Sequence, residues 1–281
     1  MGAKAVVITG ASTGIGRACA LHLDRIGWRV FAGVRKTADG ETLRRQAAGV
    51  LTPILIDVTS TSSLTAAVEI VTKNVGEAGL AGLVNNAGVA VAGPLEFLPL
   101  AELRRQLEVN VIGQVAVTQA FLPLLRQGHG RVVNMGSVSG RIAMPLMGPY
   151  AASKFALEAL TDALRVELAP WNIQVSIIEP GSIATPIWDK SVAMADEIIE
   201  NLPPPAHRYY GSVMATVRQQ AIQAGRIAIP PQAVAEAVTQ ALTARRPKTR
   251  YLVGRGVWLA VLFARFVPDR WRDWLITRSG F

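Results

Sequence analysis

The sequence contains very little cysteine and histidine. Of its 281 residues, one is a cysteine, Cys19, and three are histidines. A single cysteine excludes an internal disulfide and is typical of proteins in a reducing compartment. The three histidines, at positions 22, 129 and 207, are scattered without the spacing of metal ligands. The sequence therefore predicts no metal site and a cytoplasmic location.

Long apolar runs are also missing. The amino-terminal stretch MGAKAVVITG is too short an apolar run for a signal peptide and enters a glycine-rich turn at once. Near the other end, residues 257–266 (VWLAVLFARF) are apolar but interrupted by Arg265. This run is far below the roughly 20 residues that a membrane-spanning helix needs. We therefore expect neither a secretion signal nor a transmembrane segment.

Acidic residues are outnumbered, and the formal net charge is +9. Residues 245–281 alone carry nine Lys or Arg and two Asp. A basic tail can bind nucleic acid or an anionic membrane. Because this tail is rich in tryptophan, leucine and valine, we expect no nucleic acid and favour an interfacial amphipathic helix with peripheral membrane contact. A helix packed on the protein itself or on a partner subunit is an equally good interpretation.

Apolar segments alternate with helical patterns along the chain. This alternation predicts an α/β fold, a Rossmann-type doubly wound parallel sheet in three layers. Half of the residues are hydrophobic, which is ample for one large core. We expect a single catalytic domain over residues 1–253, with a substrate lid inserted at 185–231. Residues 254–281 would form a basic amphipathic C-terminal extension.

A glycine-rich turn follows the first predicted strand, residues 5–9. Its G-x-x-x-G-x-G spacing opens a helical pattern, and such a turn lets a helix N-terminus present N–H groups to a pyrophosphate. Plain tight packing of strand and helix is the other explanation. We assign six residues of the turn to a dinucleotide cofactor: Gly10, Ser12, Thr13, Gly14, Ile15 and Gly16.

The end of the second strand bears on which cofactor is used. About 20 residues after the glycines, an acidic side chain would bind the ribose hydroxyls of NAD. Val34 stands at that position and Arg35 follows it. A guanidinium there can pair with the 2′-phosphate of NADP, although a solvated strand-end charge is the alternative. Together with Ser12, Arg35 favours NADP(H) and leaves NAD(H) open.

Two further strand ends carry candidate cofactor contacts. Asp57 and Val58 follow a predicted strand, where the carboxylate could bind an adenine amino group or cap the next helix. Asn86, Ala87 and Gly88 follow another strand, and such small and amide residues let a cofactor ribose approach closely.

Four polar residues form the candidate catalytic set. Tyr150 and Lys154 are four residues apart at the start of a helical pattern and so share one face. An ammonium close to a phenol lowers the pKa of the phenol, which could then exchange a proton with an alcohol or carbonyl oxygen. Ser137, after an apolar strand, can donate a hydrogen bond to the same oxygen. Asn110 lies inside a long helical pattern, either as a satisfied core amide or as a functional kink.

These motifs, taken in order, resemble the short-chain dehydrogenase/reductase family, especially its retinol and 17β-hydroxysteroid dehydrogenase branch. The resemblance covers about residues 1–253 and includes a later motif, Pro180-Gly181-x-x-x-Thr185. It implies that Tyr150 is the general acid/base, and that Lys154 lowers its pKa and binds the nicotinamide ribose. It also implies that Ser137 orients the substrate and that Asn110 holds a water of a proton relay. The nicotinamide carboxamide would be held by Ile183 and Thr185, beside Pro180 and Gly181.

The resemblance implies a nicotinamide-dependent oxidoreductase that acts on a hydrophobic alcohol or carbonyl compound, such as a steroid, a retinoid or a long-chain lipid. The similar branch contains both NAD and NADP users, so Arg35 alone favours NADP(H). The apolar faces of the Tyr150 helix and of its Leu100–Leu125 neighbour would suit a subunit interface, and we expect a homodimer or homotetramer. An NAD(H)-dependent alcohol dehydrogenase of the same family is one alternative. A non-catalytic cofactor-binding sensor is another, although such proteins usually lose the tyrosine or the lysine.

Overall fold

A single sheet of seven parallel strands lies at the centre of the molecule. The computed structural model describes residues 3–278, except for the side chains of residues 189 and 190. The strands are β1 (Ala5–Ile8), β2 (Arg29–Val34), β3 (Val50–Leu55), β4 (Gly82–Asn85), β5 (Arg131–Met135), β6 (Gln174–Pro180) and β7 (Arg250–Val253). Their order across the sheet is β3-β2-β1-β4-β5-β6-β7.

Helices connect the strands and cover both faces of the sheet. They are α1 (Gly14–Arg25), α2 (Thr37–Arg44), α3 (Thr61–Val75), α4 (Leu100–Leu107), α5 (Gly113–Gln127), α6 (Gly148–Glu167), α7 (Ile187–Glu200), α8 (Pro204–Arg226), α9 (Gln232–Thr243), α10 (Val257–Phe266) and α11 (Asp269–Arg278). The predicted doubly wound Rossmann-type fold is therefore confirmed.

The central strand shows why the sequence folds this way. In β1, Val6 pairs with Val30 on one side and with Gly82 on the other. Val6 and Ile8 contribute to the core beneath α1 and α9, whereas Val7 contributes to the core beneath α3 and α5. Because both faces are covered by helices, β1 is apolar at every position. The strand order reverses between β1 and β4, which opens a crevice at the carboxyl ends of the strands.

The predicted long helix from Leu100 to Leu125 is interrupted in the structure. Between α4 and α5 the chain makes a π-helical turn, Glu108–Ile112, with Asn110 at its centre. A π turn inserts one extra residue into the helical repeat and is found frequently at functional sites. The helical pattern around Asn110 is therefore irregular, as a disfavoured mid-helix asparagine suggested.

The lid and the tail differ in detail from their predicted structures. The predicted lid shows only weak helical periodicity in the sequence, yet α7 and α8 fill most of residues 185–231. They share a small core with the loop after β4, built from Val91, Leu98, Ile198 and Met214 among others. The tail forms α10 and α11 rather than one helix, because Pro268 cannot continue α10.

Candidate active site

The glycine turn is held by backbone geometry that only glycine permits. Gly10 has a φ of +66° and Gly14 a φ of +57°, in the left-handed region that glycine adopts readily. A side chain on Gly16 would overlap the Gly10 carbonyl oxygen and the amide nitrogen of Asn86. The first turn of α1 therefore lies close against the end of β4, with its free N–H groups at the crevice.

Partly buried hydrogen bonds tie this turn to the loop after β4. The Thr9 hydroxyl accepts from the backbone N–H groups of Asn86 and Ala87, at 3.0 Å each. The Asn86 side-chain Nδ2 donates to the carbonyl oxygens of Thr9 (2.9 Å) and Gly10 (3.1 Å). The Asn86 Nδ2 group is therefore engaged in holding the turn.

Arg35 and Asp57 lie near each other at one end of the crevice. Arg35 is exposed, and its positive charge helps to hold the pKa of Asp57 below its usual value. Larger contributions come from the Thr59 backbone N–H (3.0 Å) and hydroxyl (2.7 Å), which both donate to Asp57 Oδ1. The cap of α3 is Ser60, whose hydroxyl accepts from Ser63 N–H, so the Asp57 carboxylate does not cap this helix.

Tyr150 and Lys154 lie in the first two turns of α6 and face the crevice. Lys154 is buried, and its Nζ donates to the Met135 carbonyl oxygen at 2.6 Å. The same Nζ lies 5.7 Å from the centre of the Tyr150 ring. Burial lowers the pKa of Lys154 to about 8, while the negative charge of Glu158 acts in the opposite direction. Lys154 is thus still mostly a cation at neutral pH.

The pKa of Tyr150 departs from the sequence prediction. Burial raises it, and the hydrogen bond with the Ser137 hydroxyl offsets this only in part. The predicted lowering by Lys154 is therefore wrong for this structure. The physical reason is that desolvation penalises the phenolate more than its neighbours stabilise it. The Lys154 ammonium, in addition, is directed at the Met135 carbonyl.

Asn110 is connected to the catalytic helix through its side-chain amide. Its Oδ1 accepts from Val89 N–H at 2.9 Å, and its Nδ2 donates to the Val89 carbonyl (2.9 Å) and to Ser153 Oγ (3.2 Å). Ser153 in turn donates to the Tyr150 carbonyl at 2.7 Å. Asn110 is therefore a satisfied core amide that lies in a π turn, while a functional role for it stays a prediction.

The segment after β6 forms the opposite wall. Gly181 N–H donates to the Val253 carbonyl at 2.9 Å, and Ile183 pairs with Ile229 in a parallel bridge. The indole N–H of Trp188 donates to the Ile183 carbonyl at 2.7 Å. Trp188, at the start of α7, therefore connects the lid to the predicted nicotinamide segment, a contact that sequence reasoning did not identify.

One cavity of about 1440 Å³ brings the predicted residues together. Every predicted site residue except the buried Gly16 lines it. Its far side is largely apolar and includes Leu146, Trp188, Val192, Met214, Val257 and Ala260. Within residues 3–278, no group of three or more His, Cys, Asp or Glu side chains is arranged to hold a metal ion.

Comparison with known proteins finds relatives along nearly the whole chain. The sequence model of the short chain dehydrogenase family matches residues 4–196. Retinol dehydrogenase 5 of Mus musculus is 40% identical over 97% of this chain and 87% of its own length. The NADPH-dependent 3-dehydrocapnine reductase of Ornithobacterium rhinotracheale is 36% identical, with 95% and 94% covered. For 17-beta-hydroxysteroid dehydrogenase type 6 of Bos taurus the identity is 36%, with 98% and 88% covered.

Solved structures share the same fold. A short-chain dehydrogenase from Streptomyces avermitilis superimposes with a TM-score of 0.78 at 27% identity, covering 99% of this chain and 98% of that one. A short-chain dehydrogenase from Burkholderia cenocepacia in complex with NADP gives a TM-score of 0.70 at 25% identity, covering 99% and 97%.

Proposed function

The chain belongs to the short chain dehydrogenase family, whose members bind a nicotinamide cofactor and act on CH–OH or C=O groups, and on this premise we propose an NADP(H)-dependent reductase of hydrophobic carbonyl compounds. The observation that carries the proposal is the single cavity, which joins the glycine turn to Ser137, Tyr150 and Lys154. The apolar far side of the cavity, together with relatives named for retinol and steroids, supports a lipophilic substrate.

The proposed mechanism assigns proton handling to this chain. A bound nicotinamide would supply or accept the hydride. Ser137 would donate a hydrogen bond to the substrate oxygen and orient it, and Tyr150 would exchange a proton with that oxygen. Because burial raises the pKa of Tyr150, the phenol stays protonated at neutral pH and can donate, as carbonyl reduction requires. Lys154 would bind the nicotinamide ribose with its ammonium group.

Replacing the phenol tests this mechanism. We expect Tyr150→Phe to reduce turnover by about 10³-fold, because the acid is lost, while NADPH affinity stays within about threefold of wild type. Tyr209→Phe, which alters an exposed phenol on α8, should keep wild-type turnover. Steady-state reduction of retinal and of a ketosteroid by both variants is the measurement. A Tyr150→Phe protein with wild-type turnover would refute the proposed role.

The preference for NADP(H) rests on Arg35. Its guanidinium is exposed at the crevice and makes no hydrogen bond or salt bridge to any residue that the structure describes. It is thus available for a 2′-phosphate, and a charge-assisted hydrogen bond is worth about 1.5–3 kcal/mol. We expect Arg35→Ala to weaken NADPH binding by about 10- to 100-fold, as followed by quenching of tryptophan fluorescence.

The affinity for NADH should remain unchanged in the same variant, because NADH lacks the 2′-phosphate. Arg45→Ala, an exposed arginine at the end of α2, serves as the charge-matched control. If wild-type protein prefers NADH, or if Arg35→Ala weakens both cofactors equally, the alternative of an NAD(H)-dependent alcohol dehydrogenase takes precedence.

Residues 254–281 are proposed as a peripheral membrane contact of an otherwise cytoplasmic enzyme. Exposed Trp258, Leu262, Phe266, Trp271 and Trp274 alternate there with arginines. Among the described helices, the span Leu100–Gln127 is the one that passes a length and hydropathy test for crossing a membrane, but it packs against β4 and α6 as a core helix. Sedimentation with anionic liposomes at low salt tests the proposal, and protein that stays in the supernatant would contradict it.

A homodimer or homotetramer is proposed on the basis of exposed apolar side chains. Ile112 ends the π turn, and Phe155, Leu160 and Val166 lie along α6, all at least 39% exposed. Burying such a face against a second copy would remove it from water. Light scattering gives the oligomeric state directly, and a monomer at micromolar concentration would refute the proposal.

A further inference from the structure

A cluster of charged side chains lies directly behind the candidate catalytic pair. On α6, Tyr150, Lys154 and Glu158 are spaced four residues apart and share one face of the helix. Lys154 and Glu158 are both buried. A carboxylate is therefore placed one helical turn beyond the ammonium group that faces Tyr150.

Two arginines hold this carboxylate. Arg141 lies 3.1 Å from Glu158 and donates to both oxygens of Glu179 at 3.0 and 2.8 Å. Arg250 donates to Glu158 Oε2 at 3.1 Å and to Asp162 at 2.6 Å, and lies 3.5 Å from Glu179. The arginines come from the loop after Ser137 and from β7, so the cluster joins several walls of the cavity.

One of the two carboxylate oxygens of Glu158 has no hydrogen-bond donor in the described part of the chain. Glu158 Oε1 is buried and finds no hydrogen-bond donor among the residues that the structure describes. Burying a carboxylate with an oxygen unpaired is unfavourable unless a nearby positive charge compensates it. The arginines bond only the other oxygen, and burial together with the charge of Glu179 raises the pKa of Glu158 to about 7. Above that pH the charge of Glu158 favours the protonated form of Lys154.

We propose that Glu158 is a positioning residue that, from one helical turn away, supports the charged form of Lys154 beside Tyr150. The proposal rests on the proposed function insofar as Lys154 acts on a bound cofactor. Without the carboxylate, the buried ammonium would have the Met135 carbonyl but no counter-charge, and desolvation would deprotonate it at lower pH. Glu158 touches neither substrate nor cofactor in this assignment; it acts through Lys154.

The same cluster links Lys154 to two other parts of the candidate site, the loop that carries Ser137 and the end of β6. Arg141 follows the short turn Val138–Gly140 that begins at Ser137. Glu179 is fully buried and comes just before Pro180 and Gly181 on the nicotinamide side. Arg141 therefore bridges the loop that presents Ser137 to the strand end opposite, and Glu158 adds the Lys154 helix to that bridge.

Charged and polar groups from several elements can influence the titration of Lys154. Lys154 is faced by Tyr150 and Glu158 from α6 and by the Met135 carbonyl from β5. Glu158 is faced by Arg141, Arg250, Glu179 and Asp162. A purely structural ion cluster would stabilise the fold without altering the pH at which Lys154 loses its proton. The two roles are therefore separable by experiment.

The test measures NADPH affinity by tryptophan fluorescence between pH 6 and pH 10. In wild type we expect affinity to fall as Lys154 deprotonates near pH 8. Lys154→Met should abolish this transition, which assigns it to Lys154. In Glu158→Gln the midpoint should move down by about one pH unit, the shift typical of losing a nearby opposite charge.

Two control variants sharpen the result. Glu158→Asp keeps the charge and should restore a midpoint close to wild type. Asp162→Asn removes a charge from the same cluster, but Asp162 lies two turns beyond Lys154 and is partly exposed, so the midpoint should stay in place. If Glu158→Gln fails to fold, the double variant Glu158→Met/Arg250→Met carries the same expected shift, since replacing a buried ion pair as a whole by apolar groups is often tolerated.

The outcomes separate this inference from the proposed function. If wild type binds neither NADPH nor NADH, the proposed function fails. If wild type binds NADPH with a Lys154-dependent midpoint that Glu158→Gln leaves unmoved, the proposed function stands and the role of Glu158 is refuted.

Discussion

At the glycine turn the cavity wall is backbone held by partly buried hydrogen bonds, whereas the polar contacts of the lid wall are made by exposed side chains. The Thr9 hydroxyl joins two strand ends from the core. The lid, in contrast, is held by an ion pair between Arg218 and Asp196 at 2.9 Å, with 51% and 36% of the side chains exposed, and by a phenol hydrogen bond between Tyr210 and Glu96.

On the proposed function, this difference would let one fold keep a fixed cofactor geometry and still adapt to its substrate. Backbone atoms at the turn have no alternative rotamers, so a bound diphosphate would meet a wall that is set once the sheet forms. The lid wall uses Met214 and Trp188, and methionine side chains adjust readily to irregular shapes. The exposed contacts of the lid contribute little to stability, so its position depends mainly on the small core that it shares with the loop after β4.

Two glycine substitutions, one at the glycine turn and one in the lid, should give the largest difference in stability. Gly16→Ala should destabilise the protein by about 1–3 kcal/mol and weaken NADPH binding at least tenfold, because its methyl group has no space between the Gly10 carbonyl and Asn86. The matched change on the lid, Gly211→Ala, adds a methyl group inside α8 with no atom within 4 Å. It should stabilise the protein by about 0.5–1 kcal/mol through helix propensity.

Urea unfolding of both variants gives the change in the free energy of unfolding, and NADPH titration gives the change in cofactor affinity. If Gly16→Ala bound NADPH with wild-type affinity, the turn would not be the rigid wall described above. If Gly211→Ala destabilised the protein, the lid would be packed more tightly than its open surroundings indicate.

Replacing Lys154 gives a second test, in which we expect turnover to fall and the stability of the fold to rise. Burial lowers its pKa to about 8 from 10.5, so keeping it charged at pH 7 is unfavourable. We expect Lys154→Met to stabilise the fold by about 1–3 kcal/mol at pH 7 while removing turnover. The increase in stability should be smaller than the full pKa shift of Lys154 implies, because the variant also removes a positive charge from the neighbourhood of Glu158.

The pH dependence of this gain follows from proton linkage. Between about pH 8 and 10.5 the unfolded chain binds a proton at Lys154 that the folded chain has released, so wild type gains stability as the pH rises through this range. Lys154→Met lacks this gain, and its advantage should shrink between pH 7 and pH 10. Urea denaturation of both proteins at pH 7 and pH 10 measures the difference in their free energies of unfolding. If this difference were the same at the two pH values, the lowered pKa of Lys154 would be contradicted.

These regions also differ in how far the sequence predicted them. The glycine turn, the strand ends and the Tyr150–Lys154 spacing follow from local rules, and the structure brings them into one cavity. The pKa of Tyr150 depends on burial, which is a property of the whole fold, and so its direction was predicted wrongly. The cluster around Glu158 was missed because Arg141, Glu179 and Arg250 are far apart in sequence and carry no local signal.

The smallest expected effect concerns the lid. Tyr210 donates to the Glu96 carboxylate at 2.8 Å and packs edge-on against Phe97. Tyr210→Phe removes the hydrogen bond and keeps the ring, so we expect substrate KM to change by at most about twofold, since exposed polar contacts contribute little. Tyr210→Ala removes both contacts and should raise KM further without altering NADPH affinity. Steady-state kinetics of the two variants measure these effects. A large change in the substrate KM of Tyr210→Phe would show that the hydrogen bond to Glu96, rather than apolar packing, holds the lid in place.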